Sequence, residues 1–297
     1  MSAGLEFETM ASALEASGDF RLLRRLRPRS RVNENDGSAT RLGIFLDLET
    51  TGLDARRDEI IEIAMVPFTY ALDGRIFDIR EPFQRLRQPS FPIPPEITAI
   101  TGIDDAMVEG QVVDPAEVAA FVAPADLILA HNAGFDRRFA ERFCAAFTAK
   151  PWGCSQSQIP WKDEGFEGTR LGYLLAGCGL FHDAHRATGD CLAAIEILSR
   201  PLPRSGVLAL ARLLEAARRP TCRVWAENSP FELRTALKAR GYRWSDGSDG
   251  RPRAWYADVT EDRLDAELKY LRTEIYQFDA EFNLHRITAR DRFSDRG

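Results

Sequence analysis

The run Leu42-Gly43-Ile44-Phe45-Leu46-Asp47-Leu48-Glu49-Thr50-Thr51-Gly52-Leu53 decides how this chain folds. It begins apolar and ends in acid, the pattern of a buried strand whose last residues reach a cleft. Residues two apart on a strand point to one face, so Asp47 and Glu49 aim their carboxylates at the same spot. Unpaired, they would repel each other and lose solvation. A divalent cation removes the conflict, and hard oxygen ligands suit Mg²⁺ or Mn²⁺. A strand end with two solvated acids would read the same way, so D-x-E alone leaves both possibilities open.

Outward from this strand the texture is that of a mixed α/β sheet. Ile60 to Phe68 is a second apolar run, and Asp73-Gly74 is a hairpin signal leading into Arg75 to Leu86 as a third strand. Leu127 to Ala130 reads as a buried fourth strand. Phe135, Phe139, Phe143 and Phe147 recur every four residues, a helix with an aromatic core face. Further helices fit Ala116 to Val122, Arg170 to Ala176, Asp190 to Leu198 and Val207 to Ala217. Strands first, then helices alternating with a strand, describe a central sheet flanked by helices.

Three segments follow. Residues 1–40 form an N-terminal extension: Leu5 to Leu26 reads as one or two helices, the basic run Arg21 to Arg31 as a solvated helix face or else a phosphate or partner contact, and Val32 to Thr40 as a polar linker. Residues 41–219 form the main domain. Residues 220–297 form a small α/β module, with strands at Cys222 to Ala226, Tyr242 to Ser245 and Arg253 to Val259. Its helices span Pro230 to Arg240 and Asp262 to Tyr276.

Composition sets the class. With 297 residues, 44% hydrophobic and 28% charged, the chain buries a core large enough to need neither disulfide nor structural metal. Five scattered cysteines without a C-x-x-C pair read as small buried hydrophobes in a reducing compartment. No apolar run approaches membrane length and no signal-peptide pattern opens the chain, so a cytoplasmic protein without a membrane partner is expected. The net charge of −6 counts mildly against a nucleic-acid binder, but an enzyme that touches a few terminal nucleotides needs no broad phosphate-binding surface.

Two more patches join Asp47 and Glu49. His131-Asn132-Ala133-Gly134-Phe135-Asp136 follows the fourth strand and opens the Phe-striped helix. Asn132 is a fitting helix cap, and Asp136 falls where the helix dipole favours negative charge. His185-Arg186-Ala187-Thr188-Gly189-Asp190 enters another helix in the same manner. Dipole complementation alone would account for either aspartate.

Taken together and in order, F-L-D-L-E-T-T-G-L, H-N-A-G-F-D and H-R-A-T-G-D resemble the motifs of the DEDDh 3′–5′ exonucleases. That family includes the proofreading epsilon subunit of bacterial DNA polymerase III, ribonuclease T and oligoribonuclease. Ile100-Thr101-Gly102-Ile103 resembles the family's I-T-G-I segment, and the likeness runs from about Gly43 to Leu198. The resemblance implies a ribonuclease-H-like fold. It implies two divalent ions, Mg²⁺ or Mn²⁺, held by Asp47, Glu49, Asp136 and Asp190, with His185 as general base. His182, three residues earlier, reads as a surface residue.

By the same resemblance Thr50, Thr51, Gly52 and Leu53 meet the terminal nucleotide, with Leu53 as an apolar wedge. Asn132 and Phe135 line the same cleft. The expected partner is the 3′ end of single-stranded DNA or RNA, with DNA favoured; DNA replication or repair proteins are candidate protein partners. Alternatives are an exoribonuclease, because nothing in the motifs reads a 2′-hydroxyl, and a non-catalytic subunit on the same scaffold. In the C-terminal module, Leu237-Lys238-Ala239-Arg240-Gly241-Tyr242-Arg243-Trp244 and Arg253-Ala254-Trp255-Tyr256 mix basic and aromatic residues. They suit either nucleic-acid stacking or a small core wrapped in charge.

Overall fold

In the computed structural model, which describes residues 2–183, 186–248 and 250–296, the opening run becomes strand β1 (Thr40–Thr50). It pairs antiparallel with β2 (Ile60–Ala71), from Thr40 opposite Ala71 to Glu49 opposite Glu62. All of β2 is buried, which explains why its sequence is continuously apolar rather than alternating. Asp73-Gly74 turns the chain with Gly74 at φ 93°, a conformation a side chain would strain.

The single strand expected from Arg75 to Leu86 is two: β3 (Ile76–Ile79) and β4 (Phe83–Leu86), both antiparallel to β2. Pro82 lies in the gap, where it lacks the N–H that a continuous ladder requires.

On its other side β1 pairs in parallel with β5 (Leu127–Ala130), and β5 with β6 (Trp152–Cys154). The order is β3-β2-β1-β5-β6, with β4 also on β2. The sheet is therefore mixed, as the resemblance implies. Three-residue β6 is too short to show a period in the sequence.

Helices α1 (Ser2–Ala16), α2 (Pro95–Thr101), α3 (Pro115–Val122), α4 (Ala133–Phe143), α5 (Leu171–Gly177), α6 (Ala187–Leu198) and α7 (Ala209–Arg218) accompany these strands. Helix α6 lies against β1 and β2, and α4 against β1, β5 and β6. The phenylalanine stripe breaks after Phe143. Cys144 is extended, and Phe147 belongs to a separate 3-10 turn, Ala145–Ala149. Phe139 and Phe147 are buried all the same.

The basic run departs most from its expectation. Only Ser2–Ala16 is helical at the N-terminus, and the arginines lie on an extended segment. They bind carboxylates outside their own run: Arg24 holds Glu8 and Glu15, Arg25 holds Asp183, Arg29 holds Glu196 at 2.6 Å, and Arg31 holds Asp78 at 2.9 Å. Arg24 and Arg25 also pair in parallel with Leu180 and Phe181. These partners are invisible to a local reading of charge.

The chain divides into two compact units, residues 1–214 and 215–297. The second contains a four-stranded antiparallel sheet of β7 (Thr221–Ala226), β8 (Arg243–Trp244), β9 (Trp255–Thr260) and β10 (Asn283–Ile287), in the order β8-β9-β7-β10. Helices α8 (Arg234–Ala239) and α9 (Leu264–Tyr270) join it, and a wide π-helical turn, Leu271–Tyr276, extends α9. Val224, Ala226, Leu237, Tyr242, Leu271 and Ile275 form its core. Among the described residues of both units, no helix is long and apolar enough to cross a membrane.

Candidate active site

The alternation of β1 places Asp47 and Glu49 on one face, and α6 brings Asp190 to them from its first turn. One carboxylate oxygen from each of these three residues lies within 4.8 Å of the others, close enough to share a cation. Asp136, in the first turn of α4, is buried at 3% exposure and accepts a hydrogen bond from the Leu48 amide. The structure therefore brings together the four carboxylates named from the sequence.

Their electrostatics fit a site built for positive charge. Burial, then the charges of Asp190 and Glu62, pushes the Glu49 carboxyl up to about 7. Burial, then Asp136, Asp190, Glu49 and Glu62, holds Asp47 well above the usual carboxylate range. Burial raises Asp136 as well. Hard oxygen donors that repel one another when ionised are the donor set a Mg²⁺- or Mn²⁺-type ion prefers.

Glu62 is a further carboxylate, one that the sequence motifs do not include. It stands opposite Glu49 on β2 and is fully buried. Gln84 donates to it, the Ala187 amide donates to it at 3.3 Å, and Arg186 lies 3.9 Å away. Helix α6 has no side-chain cap of its own at Arg186, so Glu62 supplies an acceptor for its first turn from across the sheet. The sequence does carry a signal for it: one acid inside Ile60-Ile61-Glu62-Ile63-Ala64-Met65, an otherwise apolar strand.

The two histidines flanking Asp183 have different standing. His185 lies outside the described residues. The reading of His182 as a surface residue is corrected, because its ring is mostly buried and its Nε2 meets the Asp190 carboxylate. The second motif's His131 is structural, with one ring nitrogen 2.8 Å from the Ser155 hydroxyl and the other 2.7 Å from the Thr169 carbonyl. Burial lowers its pKa, which suits a neutral ring that donates to one partner and accepts from the other.

The turn after β1 is internally braced. Thr50 donates its hydroxyl to the Gly52 carbonyl at 2.6 Å, and Thr51 accepts from the Glu59 amide at 3.0 Å. Asp58 accepts from the Asp54 amide at 2.8 Å. Gly52 lies in close approach: a Cβ there would fall 2.5 Å from Asp58 Oδ2, so a side chain would displace that carboxylate. Leu53 projects beyond the turn at 87% exposure. Asn132 is not the side-chain cap expected. It adopts φ 101° and makes no capping bond, so the backbone itself makes the sharp entry to α4. Phe135 is partly buried, its ring 4.9 Å from that of Phe139.

Residues 44–198, just over half of the chain, match the family model RNase_T, described as exonuclease. That match defines the class as an exonuclease. The chain belongs to the DEDDh 3′–5′ exonuclease family, and its mixed sheet with flanking helices is the ribonuclease-H-like fold of that family.

A stretch of 111 residues is 36% identical to a DNA polymerase III of the PolC type from Thermotoga petrophila, covering 37% of this chain and 8% of the polymerase. The corresponding polymerase of Halalkalibacterium halodurans is 40% identical over 101 residues, 32% of this chain and 6% of that one. The chain thus matches less than a tenth of the length of these relatives. Among solved structures, Exonuclease X in complex with 5′ overhanging duplex DNA is similar at 27% identity and a TM-score of 0.44, over 59% of this chain and 98% of that one.

Proposed function

We propose that this chain hydrolyses the terminal phosphodiester bond at the 3′ end of single-stranded DNA and releases nucleoside 5′-monophosphates. The observation that carries this reading is the convergence of Asp47, Glu49 and Asp190 oxygens within 4.8 Å, with Asp136 buried beside Asp47. Asp47, Glu49, Asp136 and Asp190 would hold two divalent ions, Mg²⁺ or Mn²⁺, which supply positive charge against the developing phosphate charge and ease deprotonation of water.

The remaining steps belong to the chain's own residues. His185 takes the proton of the attacking water, a role that rests on the family resemblance. A neutral imidazole suits it near pH 7. His182 holds the Asp190 carboxylate in position. Exposed Leu53 meets the terminal base by apolar contact, and Phe135 and Asn132 border the same cleft. The 36% identity to DNA polymerases over the exonuclease segment favours DNA as the strand.

End-labelled oligonucleotides test the reading. A strand blocked at its 3′ end should resist, one blocked at its 5′ end should be degraded, and excess chelator should stop the reaction until Mg²⁺ or Mn²⁺ is restored. Internal cleavage of a circular single strand, or full activity in chelator, refutes it.

A further inference from the structure

The basic and aromatic residues of the second unit are sorted by the two-residue alternation of its strands. Arg243, Tyr256 and Trp225 are paired across β8, β9 and β7 and share one face; Trp244, Trp255 and Ala226 share the other. The first row is self-satisfied. Arg243 binds Asp258 at 3.2 Å and lies 4.8 Å over the Tyr256 ring. Arg223 binds Asp258 at 2.7 Å and lies 4.7 Å over the same ring. Arg240 is likewise committed, to Glu267 at 2.8 Å and to the Tyr270 ring.

The second row ends differently. Trp255 packs against the module's core, whereas Trp244, on the edge strand, is 50% exposed and meets Trp255 edge-on at 5.6 Å. Beside this pair opens a cavity of about 450 Å³, bordered also by Phe231, Arg234 and Arg253. Phe231 is 71% exposed, and the Arg234 guanidinium covers its ring at 3.9 Å while donating to its carbonyl. Among the described residues lining this cavity are two guanidinium groups and no carboxylate.

The neighbouring cavity, which shares Asn228, has the opposite sign: Glu227, Asp279 and Glu281 line it, with no Lys or Arg among the described residues. Residues 221–297 carry fourteen Lys and Arg against fourteen Asp and Glu, so the module is neutral overall and its charge is segregated locally. Flat aromatic surface next to guanidinium charge recognises a ligand that is both planar and anionic. A nucleotide within a strand meets that description, and the volume falls in the usual range of small-ligand sites, about 300–1,000 Å³.

We propose that this cavity is a second binding site for single-stranded DNA: a base stacks on Trp244 and Phe231, and the flanking phosphates lie against Arg234 and Arg253. It stands independently of the catalytic reading, because it uses residues of the other unit and requires no cleavage.

The test uses the full chain in chelator, with a fluorescent dT12 oligonucleotide followed by anisotropy. Trp244→Ala and Phe231→Ala should each weaken binding about 5- to 100-fold, the range expected for removing one base–aromatic stack, and Trp244→Phe should retain most of it. The Arg234→Gln/Arg253→Gln double variant should flatten the salt dependence, d log K/d log [salt], by about 1.4, that is about 0.7 for each phosphate of a single strand that is no longer neutralised. Wild-type affinity in Trp244→Ala, together with an unchanged salt slope in the double variant, overturns the proposal. So does displacement of the strand by a proline-rich or phosphorylated peptide, which would assign the cavity to a protein partner. Tighter binding of rU12 than of dT12 through the same residues overturns the choice of DNA. Hydrolysis of a thymidine dinucleotide in Mg²⁺ separates the two readings, since these variants should all cleave it at the wild-type rate. Failure of cleavage in every protein with binding intact sinks the catalytic reading alone.

Discussion

Replacing Glu49 with Gln should destroy activity and yet stabilise the metal-free protein at alkaline pH. Burial and the neighbouring charges of Asp190 and Glu62 raise this carboxyl from 4.5 to about 7. Because the folded pKa lies above the unfolded one, the folded chain retains a proton between those values that the unfolded chain has lost. Stability is therefore complete below 4.5, falls as pH rises, and carries the full penalty above 7. At 1.36 kcal/mol per unit, the ionised Glu49 costs about 3 kcal/mol at pH 8 and about 1 kcal/mol at pH 5. Glutamine cannot ionise, and whatever its amide costs is the same at both pH values. The signature is thus the difference: Glu49→Gln relative to wild type should gain about 2 kcal/mol more at pH 8 than at pH 5. Urea unfolding in chelator, followed by circular dichroism, measures it. Saturating Mn²⁺, at a hundred times its Kd, should return about 2.7 kcal/mol to the wild type and much less to the variant. An equal effect of the substitution at both pH values would refute the account of a strained, proton-holding cluster.

Three other outcomes follow from the site. Asp47→Ala should abolish turnover, because Asp47 touches the charge of each other carboxylate in the cluster; wild-type rates would remove it from the site. His185→Ala should lose about 10²–10⁴-fold in turnover along with the acid limb of the pH–rate profile. His182→Ala should instead raise the Mn²⁺ concentration needed for half-maximal rate by about 10- to 100-fold, the usual effect of removing a partner that orients a ligand; the reverse pattern would exchange the roles of the two histidines. Gly52→Ala forces Asp58 away from the turn it braces and should cost about 1–3 kcal/mol in a thermal melt, together with activity. An unchanged melting temperature would mean that the turn yields at no cost.

How much of this is legible in the sequence depends on the range of the interaction. Alternation along one strand is local, so the common aim of Asp47 and Glu49 can be read directly, as can the first-turn positions of Asp136 and Asp190. Glu62 stands out as one acid in an apolar strand, but its place in the site cannot be read, because it meets Glu49 only through the register of β1 against β2, which no single run of residues encodes. The basic run misleads for the same reason. Arg25 and Arg29 find Asp183 and Glu196 more than 150 positions away, and those pairs hold the segment extended where a solvated helix face is expected. His182 escapes a local reading because its setting is made by α6 rather than by its neighbours in sequence. The break between β3 and β4 is different in kind: Pro82 writes it into the sequence, and only the expectation of one long strand conceals it.

The two units also show why net charge is a poor guide to nucleic-acid contact. A chain at −6 is an unpromising partner for phosphate, but in the first unit a small group of acids is gathered at one place, where carboxylates raised by burial and then by one another's charge are suited to taking up cations. In the second unit, acids and bases are nearly balanced, and the alternation of its sheet sends Arg223 and Arg243 to Asp258 on one face. On the other face Trp244 borders the cavity that Arg234 and Arg253 also line. Whether an arginine is available to a ligand is thus decided by which face its strand or turn assigns it to, and by whether a carboxylate shares that face. Arg240 and Arg243, the most conspicuous cations of the L-K-x-R-G-Y-R-W run, are already held by Glu267 and Asp258. Substituting them should therefore lower the stability of the module by breaking ion pairs, whereas substituting Arg234 and Arg253 should act on binding.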